Sequence, residues 1–268
     1  MKLKTIVLPI VALAFIGCKQ QKKENESKTN TKTEIAQPEK VHNNLMGWVN
    51  ALNSKDIGSI KSSYATDAIK IISPDSIFNS SSEIANYYSL QKDKIASIES
   101  LFSAEANKER AIHYELLRYK NDKFKEYIEI VIWRREGQKR LREFEFTQEY
   151  TLEAADIDTT NIAERRKLWL ELCNSNNAEN LVRQLYSTNT IYFNHKPIVK
   201  GTEDLIKEYD YMNDKNYTLN LHPKKLEVVN ANFAFEIGQC SGSYNGKYIL
   251  IWKKQANGNW EIYIDSNI

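Results

Sequence analysis

The stretch Gly246–Ile264, GKYILIWKKQANGNWEIYI, decides the fold of this chain because it has the pattern of a β-hairpin. Tyr248, Leu250 and Trp252 alternate with residues that face the other way, which is the two-residue period of a strand. Asn257-Gly258 then predicts a tight reversal, since both residue types tolerate a positive φ angle. The alternation resumes after this turn, so we expect two paired strands at the end of the chain.

A weaker copy of this hairpin occurs in the first half of the chain. It consists of Ile130–Gly137 followed by Leu141–Phe146. Trp133 lies 119 residues before Trp252 and occupies the same place in the pattern. The chain therefore has the signature of an internal repeat.

The segments before the two hairpins repeat with nearly the same spacing. The helical stretches 48–54 and 169–175, each starting with a tryptophan, are similar and lie 121 residues apart. Tyr64 follows the first stretch and Tyr186 the second, and these two tyrosines lie 122 residues apart. Because the spacing stays almost constant along the whole unit, we interpret the chain as one structural unit written twice.

The first unit is predicted to contain three helices followed by long strands. Ser80 and Glu83 form a capping box, which predicts that the third helix begins there, and we expect it to end near Phe102. The predicted long strands are Ala111–Tyr119, Phe124–Arg135 and Lys139–Tyr150. This order of elements is typical of an α+β fold.

The second unit resembles a known family at several places. The resemblance lies in the Trp169 helix, the loop Phe193–Pro197, the segment Gly201–Asp204 and the closing segment Trp252–Ile262. Together they resemble a SnoaL-like domain of the nuclear transport factor 2-like superfamily, and the first unit resembles it more faintly. The resemblance implies an α+β fold of two tandem cone-shaped barrels, each with three N-terminal helices packed on a curved antiparallel sheet.

This resemblance leaves the function open. The superfamily includes ketosteroid isomerase, polyketide cyclases, dehydratases and many non-catalytic binding domains, and the matching segments are fold motifs rather than catalytic ones. The resemblance does imply a pocket between the sheet and the helices of each barrel.

The N-terminus resembles the leader of a bacterial lipoprotein. Lys2 and Lys4 precede the apolar run Ile6–Ile16, which is too short to remain as a membrane span. Gly17 stands directly before Cys18, as at a lipoprotein cleavage site. The resemblance implies that residues 1–17 are a signal peptide and that Cys18 becomes the lipidated first residue, with acyl groups such as palmitate. Two or more acyl chains hold a protein stably on a membrane.

The following segment, residues 18–41, is rich in Lys, Glu, Asn, Gln, Ser and Thr, and we expect a lipidated flexible tether there. The remaining boundaries are predicted as a first domain at 42–150, a linker at 151–161 and a second domain at 162–268. The expected location is the cell envelope of a diderm bacterium, after export through the inner membrane. The lipid anchor would hold the protein on the outer membrane, at its periplasmic or outer face.

Composition and motifs exclude several functions. The net charge of +2 is too small to favour nucleic acid as a partner. The cysteines form no CxxC motif or Cys/His cluster, so we expect no structural metal. The sequence has no Walker loop, GxGxxG, GxSxG or HExxH motif, and we expect no cofactor.

Two residues are candidates for catalysis. His195 lies in the loop after the first strand of the second unit, where an imidazole could transfer protons near neutral pH. Glu236 shares a strand face with small residues that would leave room for a ligand. The simpler interpretation is that His195 is an exposed turn residue and that Glu236 is solvated, with Phe235 and Ile237 on the core face.

Several further side chains are candidates for a ligand pocket or for a surface role. Asp265 at the end of the last strand is expected to lie on the surface. Cys173 and Cys240 could either pair or remain separate thiols, and the sequence leaves this open. The pocket candidates of the second domain are Trp169, Tyr192, Asn194, Cys240, Tyr248 and Trp252.

Three functional hypotheses follow. The first is a non-catalytic module, held on the membrane through Cys18, that binds a small hydrophobic molecule or another protein. The second is an enzyme of the isomerase, dehydratase or cyclase type that does acid/base chemistry in the second-domain pocket. The third is a structural partner in an envelope assembly. We also expect an intrachain pseudo-dimer or a homodimer through the sheet faces.

Overall fold

The computed structural model describes residues 37–267 apart from 74–75, 109–110, 152–153, 155 and 196. The chain from Gln37 onward forms one compact unit. The predicted signal peptide, Cys18 and most of the predicted tether lie outside the described residues. The first helix begins at Gln37, so the last residues of the predicted 18–41 tether are helical. No helix in the described part of the chain is long and apolar enough to cross a membrane.

The first domain alternates helices and strands before it forms a long sheet. Its helices are α1 (Gln37–Ser54), α2 (Ile57–Ser62) and α3 (Ser81–Leu90). Its strands are β1 (Tyr64–Ser73), β2 (Ser76–Phe78), β3 (Ile95–Asn107), β4 (Ile112–Asn121), β5 (Glu126–Glu136) and β6 (Lys139–Glu149).

The second domain has the same order of elements. Its helices are α4 (Thr160–Asn174), which begins inside the predicted 151–161 linker, α5 (Ala178–Leu185), α6 (Thr202–Glu208) and a 3₁₀ turn at Asp210–Asn213. Its strands are β7 (Tyr186–Phe193), β8 (Val199–Lys200), β9 (Leu219–Asn230), β10 (Phe233–Gly242), β11 (Lys247–Lys254) and β12 (Trp260–Asn267).

The two sheets have the same topology. Their strand orders are β2-β1-β6-β5-β4-β3 and β8-β7-β12-β11-β10-β9, which correspond strand by strand. Neighbouring strands are antiparallel except for β1 with β6 and β7 with β12, which are parallel. An α-helix and four strands separate the members of each parallel pair in the chain, which provides the long connection that parallel pairing needs. The predicted fold class is confirmed: the protein is α+β, with two tandem cones, although each sheet is mixed rather than wholly antiparallel.

The predicted third helix was too long. It begins where the capping box places it, since the Glu83 amide donates to the Ser80 hydroxyl at 3.2 Å, but it ends at Leu90, and β3 follows. Bulges interrupt the pairing of β3 with β4 at three places. Each bulge adds a residue to one strand and interrupts the two-residue alternation of apolar side chains. The apolar residues of β3 are therefore spaced much as they would be along a helix.

The final hairpin forms as predicted, but its turn is of another type. The Gln255 amide donates to the Asn259 carbonyl at 2.8 Å, so three residues close the loop. Gly258 has a φ of 85°, whereas Asn257 is not in the left-handed region. A three-residue loop with one left-handed glycine is the next most common way to close a hairpin after the two-residue turn.

Both faces of each sheet are buried. One face packs under its own helices, as Trp133 does in the first domain and Trp252 in the second. The other faces contribute to a single hydrophobic cluster that contains residues of both domains. In this cluster the Phe144 and Phe193 rings stack with centroids 5.1 Å apart. Burial on both faces also encloses charged side chains of the central strands, such as Arg142 and Glu145 of β6, which form an ion pair.

Candidate functional site

A chain of buried hydrogen bonds runs through the second cone. The Trp169 indole donates to the Tyr186 hydroxyl at 2.9 Å, and that hydroxyl donates to Asp265 Oδ2 at 2.6 Å. The Tyr209 hydroxyl donates to the same oxygen at 2.6 Å. Asp265 is only 3% exposed, so the prediction that it lies on the surface was wrong. The strand β12 is covered on both faces, which leaves no solvated side for its carboxylate.

The first cone contains the same arrangement. The Trp48 indole donates to Tyr64 at 2.8 Å, and Tyr64 donates to Glu145 Oε2 at 2.9 Å. The Tyr88 hydroxyl donates to Glu145 Oε1 at 2.8 Å. Each of these four residues lies 120 to 122 residues before its counterpart in the second cone. The duplication therefore includes a buried polar motif as well as the fold.

The two copies differ in the charge around the carboxylate. In the first cone Lys70 Nζ lies 2.8 Å from Glu145, and Arg142 lies 2.7 Å from it. Burial opposes the ionisation of Glu145, but the two cations outweigh it and lower its pKa to about 2. Arg142 also binds Glu129, so the first cone is held together by a charged network. Such a network is rigid and leaves this carboxylate permanently ionised near neutral pH.

The second cone lacks these cations. Within the described residues, Asp265 forms no ion pair, and Tyr192 occupies the position that corresponds to Lys70. Burial raises the pKa of Asp265 to about 6, and the hydrogen bonds from Tyr186 and Tyr209 offset this only in part. A carboxyl group with such a pKa can exchange a proton near physiological pH.

A cleft of about 550 Å³ lies beside this group. The Tyr192 ring forms part of its wall and packs edge-on against Tyr209 with centroids 5.4 Å apart. The Tyr192 hydroxyl donates to Asn267 Oδ1 at 2.6 Å and accepts from Asn194 Nδ2 at 3.1 Å. The other wall residues are mainly tyrosines and asparagines, among them Tyr211, Tyr217, Tyr244 and Asn245, and Ala106 and Asn107 come from the first domain.

Glu236 is buried rather than solvated, so that simpler interpretation was wrong. It accepts hydrogen bonds from Arg166 Nε at 2.8 Å, Arg166 Nη2 at 2.6 Å, the Tyr248 hydroxyl at 2.7 Å and the Trp252 indole at 3.0 Å. These four hydrogen bonds satisfy both carboxylate oxygens, and neither Glu236 nor its donors line the cleft. We therefore interpret Glu236 and Arg166 as a structural ion pair.

His195 does not lie near Glu236. Its Nδ1 is 2.5 Å from Glu143 Oε1, on strand β6 of the first domain, and its side chain is 12% exposed. The expectation of an exposed turn residue was therefore wrong, because the loop after β7 packs against the neighbouring domain. The structure does not bring the two predicted catalytic candidates together.

Two of the six pocket candidates line the cleft, namely Tyr192 and Asn194. The other four pack in the core between helices and sheet: Trp169, Cys240, Tyr248 and Trp252. Cys173 and Cys240 are both buried free thiols, and burial raises the pKa of each to about 12. Among the described residues, no group of His, Cys, Asp and Glu side chains could hold a metal ion.

Sequence reasoning missed Asp265, Tyr209 and Arg166 as members of buried networks. A signal for the first was present, because Glu145 and Asp265 occur at the repeat spacing of 120 residues, each on the second strand of its hairpin. Arg166 has no such signal, since its role depends on how α4 packs over β10.

No protein-family model matches the chain, and no curated protein matches it. Solved structures of the nuclear transport factor 2-like type are similar to it. One is an NTF-2 like protein of unknown function from Shewanella oneidensis, with 17% identity, 41% of this chain and 98% of that chain covered, and a TM-score of 0.37.

Two further structures are similar over comparable lengths. A ketosteroid isomerase-like protein from Erwinia carotovora atroseptica has 13% identity, with 45% of this chain and 98% of that chain covered and a TM-score of 0.36. A domain of unknown function with a cystatin-like fold from Nostoc punctiforme has 11% identity, with 49% and 93% covered and a TM-score of 0.37.

Proposed function

We propose that the protein is an envelope lipoprotein whose second domain binds a small molecule without converting it. The observation that carries this proposal is the cleft of about 550 Å³ lined by tyrosines and asparagines. This volume lies within the range of ordinary small-molecule sites, which is roughly 300 to 1,000 Å³.

The chemistry of the wall indicates the kind of ligand. Tyrosine rings offer flat apolar surfaces, and the asparagine amides and tyrosine hydroxyls offer donors and acceptors at the edges. A flat molecule with polar groups on its rim fits this wall better than the small hydrophobic molecule expected from the sequence.

The absence of catalysis is proposed from the state of the two buried carboxylates, Glu236 and Asp265. Glu236 is held by four donors, and Asp265 accepts from two tyrosines. Tyr192 lines the cleft and packs against Tyr209, which is hydrogen-bonded to Asp265, so phenol rings separate this carboxylate from a ligand in the cleft. Glu208 is the carboxylate that lines the cleft itself. A general base needs to reach its proton within hydrogen-bond distance or through one water.

Binding can be tested with anilinonaphthalene sulfonate, a fluorescent probe with flat rings and a polar group. We expect saturable binding to the wild type and a loss of at least tenfold in affinity for Asn194→Trp, which fills the cleft. Ile72→Trp is the matched control, because Ile72 occupies the corresponding position of the first domain. If Asn194→Trp binds the probe as the wild type does, the cleft is not the binding site.

The enzyme hypothesis has one observation in its favour, the pKa of Asp265 near 6. Under this hypothesis Asp265 would exchange protons with a substrate through Tyr209. Asp265→Asn would then abolish turnover of a substrate while the affinity for the probe stays unchanged. An unchanged rate in this variant would exclude Asp265 as the proton-transferring group.

The membrane anchor is proposed from Cys18, which lies outside the described residues. We expect the wild type in the membrane fraction and Cys18→Ala in the soluble fraction after export, because the acyl chains depend on the thiol. Mass spectrometry of the first peptide would detect the lipid directly. An unmodified Cys18 in the mature chain would refute the anchor.

We also propose that the two domains form an intrachain pseudo-dimer. The cluster shared by both sheets supports this, as do the ring contacts of Phe146 with Phe235 at 5.6 Å and of Phe144 with Phe193 at 5.1 Å. We expect the chain to be monomeric in solution, because these faces cover each other. A stable dimer in analytical ultracentrifugation would show that another surface mediates self-association.

A further inference from the structure

Two large apolar side chains are exposed at one end of the first domain. Phe124 in the turn between β4 and β5 is 81% exposed, and Leu90 at the end of α3 is 78% exposed. Phe124 also has a φ of 65°, in the left-handed region that bulky side chains rarely adopt. An exposed aromatic residue in a disfavoured backbone conformation suggests a role outside the fold.

The turn that carries Phe124 is firmly held. The Asn121 side-chain oxygen accepts from the amides of Lys123 at 3.0 Å and Lys125 at 2.9 Å. The Phe124 amide donates to the Asn121 carbonyl at 3.0 Å. These bonds fix the turn in advance, so Phe124 is presented to solvent without a loss of loop entropy on binding.

The segment after Leu90 is bonded to the same turn. The Asp122 amide donates to the Lys94 carbonyl at 2.9 Å, and the Lys94 amide donates to the Asp122 carboxylate at 3.2 Å. Lys123 also pairs with Asp93 at 2.5 Å. The two exposed apolar residues therefore lie on segments that are bonded to each other. We call these segments, residues 90–94 and 120–125, the apolar–basic tip.

Lysines surround the apolar residues of this tip. Lys120 lies over the Phe124 ring, with Nζ 5.8 Å from the centroid. Lys92 and Lys94 are exposed and form no ion pair with any described residue. The other tip lysines each pair with one carboxylate: Lys120 with Glu126, Lys123 with Asp93 and Lys125 with Glu149. The tip therefore has two cations free to bind anions next to two apolar side chains.

We propose that the apolar–basic tip docks on the surface of a membrane that contains anionic phospholipids. Phe124 and Leu90 enter the boundary between headgroups and acyl chains, and Lys92 and Lys94 bind lipid phosphates. Apolar residues flanked by lysines are the combination that such an interface favours. The docking needs no acyl group on Cys18, so its failure and the failure of the proposed lipid anchor are separate results.

The test uses the proposed mature chain, residues 18–268, with Cys18→Ser, so that no acyl chain contributes. Sedimentation with vesicles measures the partition of this chain onto phosphatidylcholine alone and onto phosphatidylcholine mixed with phosphatidylglycerol. We expect binding at least tenfold tighter to the anionic vesicles, since each basic residue near an anionic surface strengthens binding by roughly fivefold.

Variants separate the two contributions. Phe124→Asn should weaken partition by about tenfold while the fold is retained, because asparagine tolerates the left-handed conformation. Lys92→Ser with Lys94→Ser should weaken partition by tenfold or more on anionic vesicles and leave partition on neutral vesicles unchanged. The matched controls are Met46→Ser, at another exposed apolar side chain, and Lys215→Ser with Lys224→Ser, at exposed lysines of the second domain that form no ion pair with any described residue.

Four outcomes would overturn the proposal. Three of them are equal partition on neutral and anionic vesicles, partition of Phe124→Asn that equals the parent chain, and an equal loss in the control variants. The fourth is the absence of vesicle binding, which would favour a protein partner for this tip. Thermal unfolding of each variant shows whether a loss of partition comes from a loss of folded protein.

Discussion

Replacement of Asp265 by asparagine should change how the stability of the protein depends on pH. Burial raises the pKa of Asp265 to about 6, above its ordinary value of 3.8. The folded state therefore holds this proton more firmly than the unfolded state does. The stability associated with the neutral carboxyl group is fully present below pH 3.8 and is lost as the pH rises towards 6.

The size of this loss follows from the two pKa values. A difference of about two units, at 1.36 kcal/mol for each unit, corresponds to about 3 kcal/mol of destabilisation above pH 6. The amide introduced by Asp265→Asn cannot ionise, and its carbonyl oxygen can still accept hydrogen bonds from Tyr186 and Tyr209. The free energy of unfolding of the variant, measured relative to that of the wild type, should therefore be about 3 kcal/mol higher at neutral pH than at low pH.

Urea denaturation, followed by tryptophan fluorescence, measures this difference. The free energy of unfolding is determined for both proteins at about pH 3.5 and at about pH 7.5, and the pH dependence of all other groups cancels in the comparison. Glu145 is the counterpart with the opposite sign, since Lys70 and Arg142 lower its pKa, and Glu145→Gln should lose stability relative to the wild type as the pH rises. A difference in the free energy of unfolding between Asp265→Asn and wild type that stays constant over this range would show that the folded state does not hold the Asp265 proton more firmly.

Two further predictions concern the buried networks. Arg166→Met should destabilise the protein by about 3 kcal/mol in urea denaturation, because it leaves Glu236 buried with neutral donors only. An effect below about 1 kcal/mol would mean that the ion pair contributes little to stability. Trp169→Phe and Trp48→Phe should each cost about 1 to 3 kcal/mol, since each removes the indole donor to a buried tyrosine, and markedly unequal losses would show that the two copies of the motif are not equivalent.

The duplicated architecture could be predicted from the sequence because it depends on local patterns. Trp133 and Trp252 mark the same strand in both copies, and the helix beginning at Ser81 is set by its capping residues. The β3 strand could not be predicted, because its bulges depend on pairing with β4. Bulges change the spacing of apolar residues, and nothing local in the sequence distinguishes that spacing from a helical one.

The candidate site was harder to predict than the fold. Tyr192 and Asn194, two of the six predicted pocket residues, line the cleft, because they lie at the end of β7 and just beyond it. The burial of Glu236 and Asp265 depends on both sheet faces being covered, one by helices and one by the other domain. Alternation along a strand indicates two faces but does not tell which of them meets solvent, and here neither of them does.

The divergence of the two copies suggests how their roles separated. The first cone has Lys70 and Arg142 around its carboxylate, and these cations fix its charge. The second cone has Tyr192 in place of Lys70, beside the cleft. No cation pairs with Asp265 among the described residues, and burial raises its pKa to about 6. The cleft lies in this second copy, which is where we place the binding site.

Native mass spectrometry of the mature chain, purified from the organism that makes it, shows whether the second domain holds a small molecule. We expect a mass above that of the acylated chain under native conditions, and this excess should disappear on denaturation. It should also be absent from Asn194→Trp and present in Ile72→Trp. An identical mass for the wild type in native and denaturing conditions would contradict the claim that the second domain holds a small molecule.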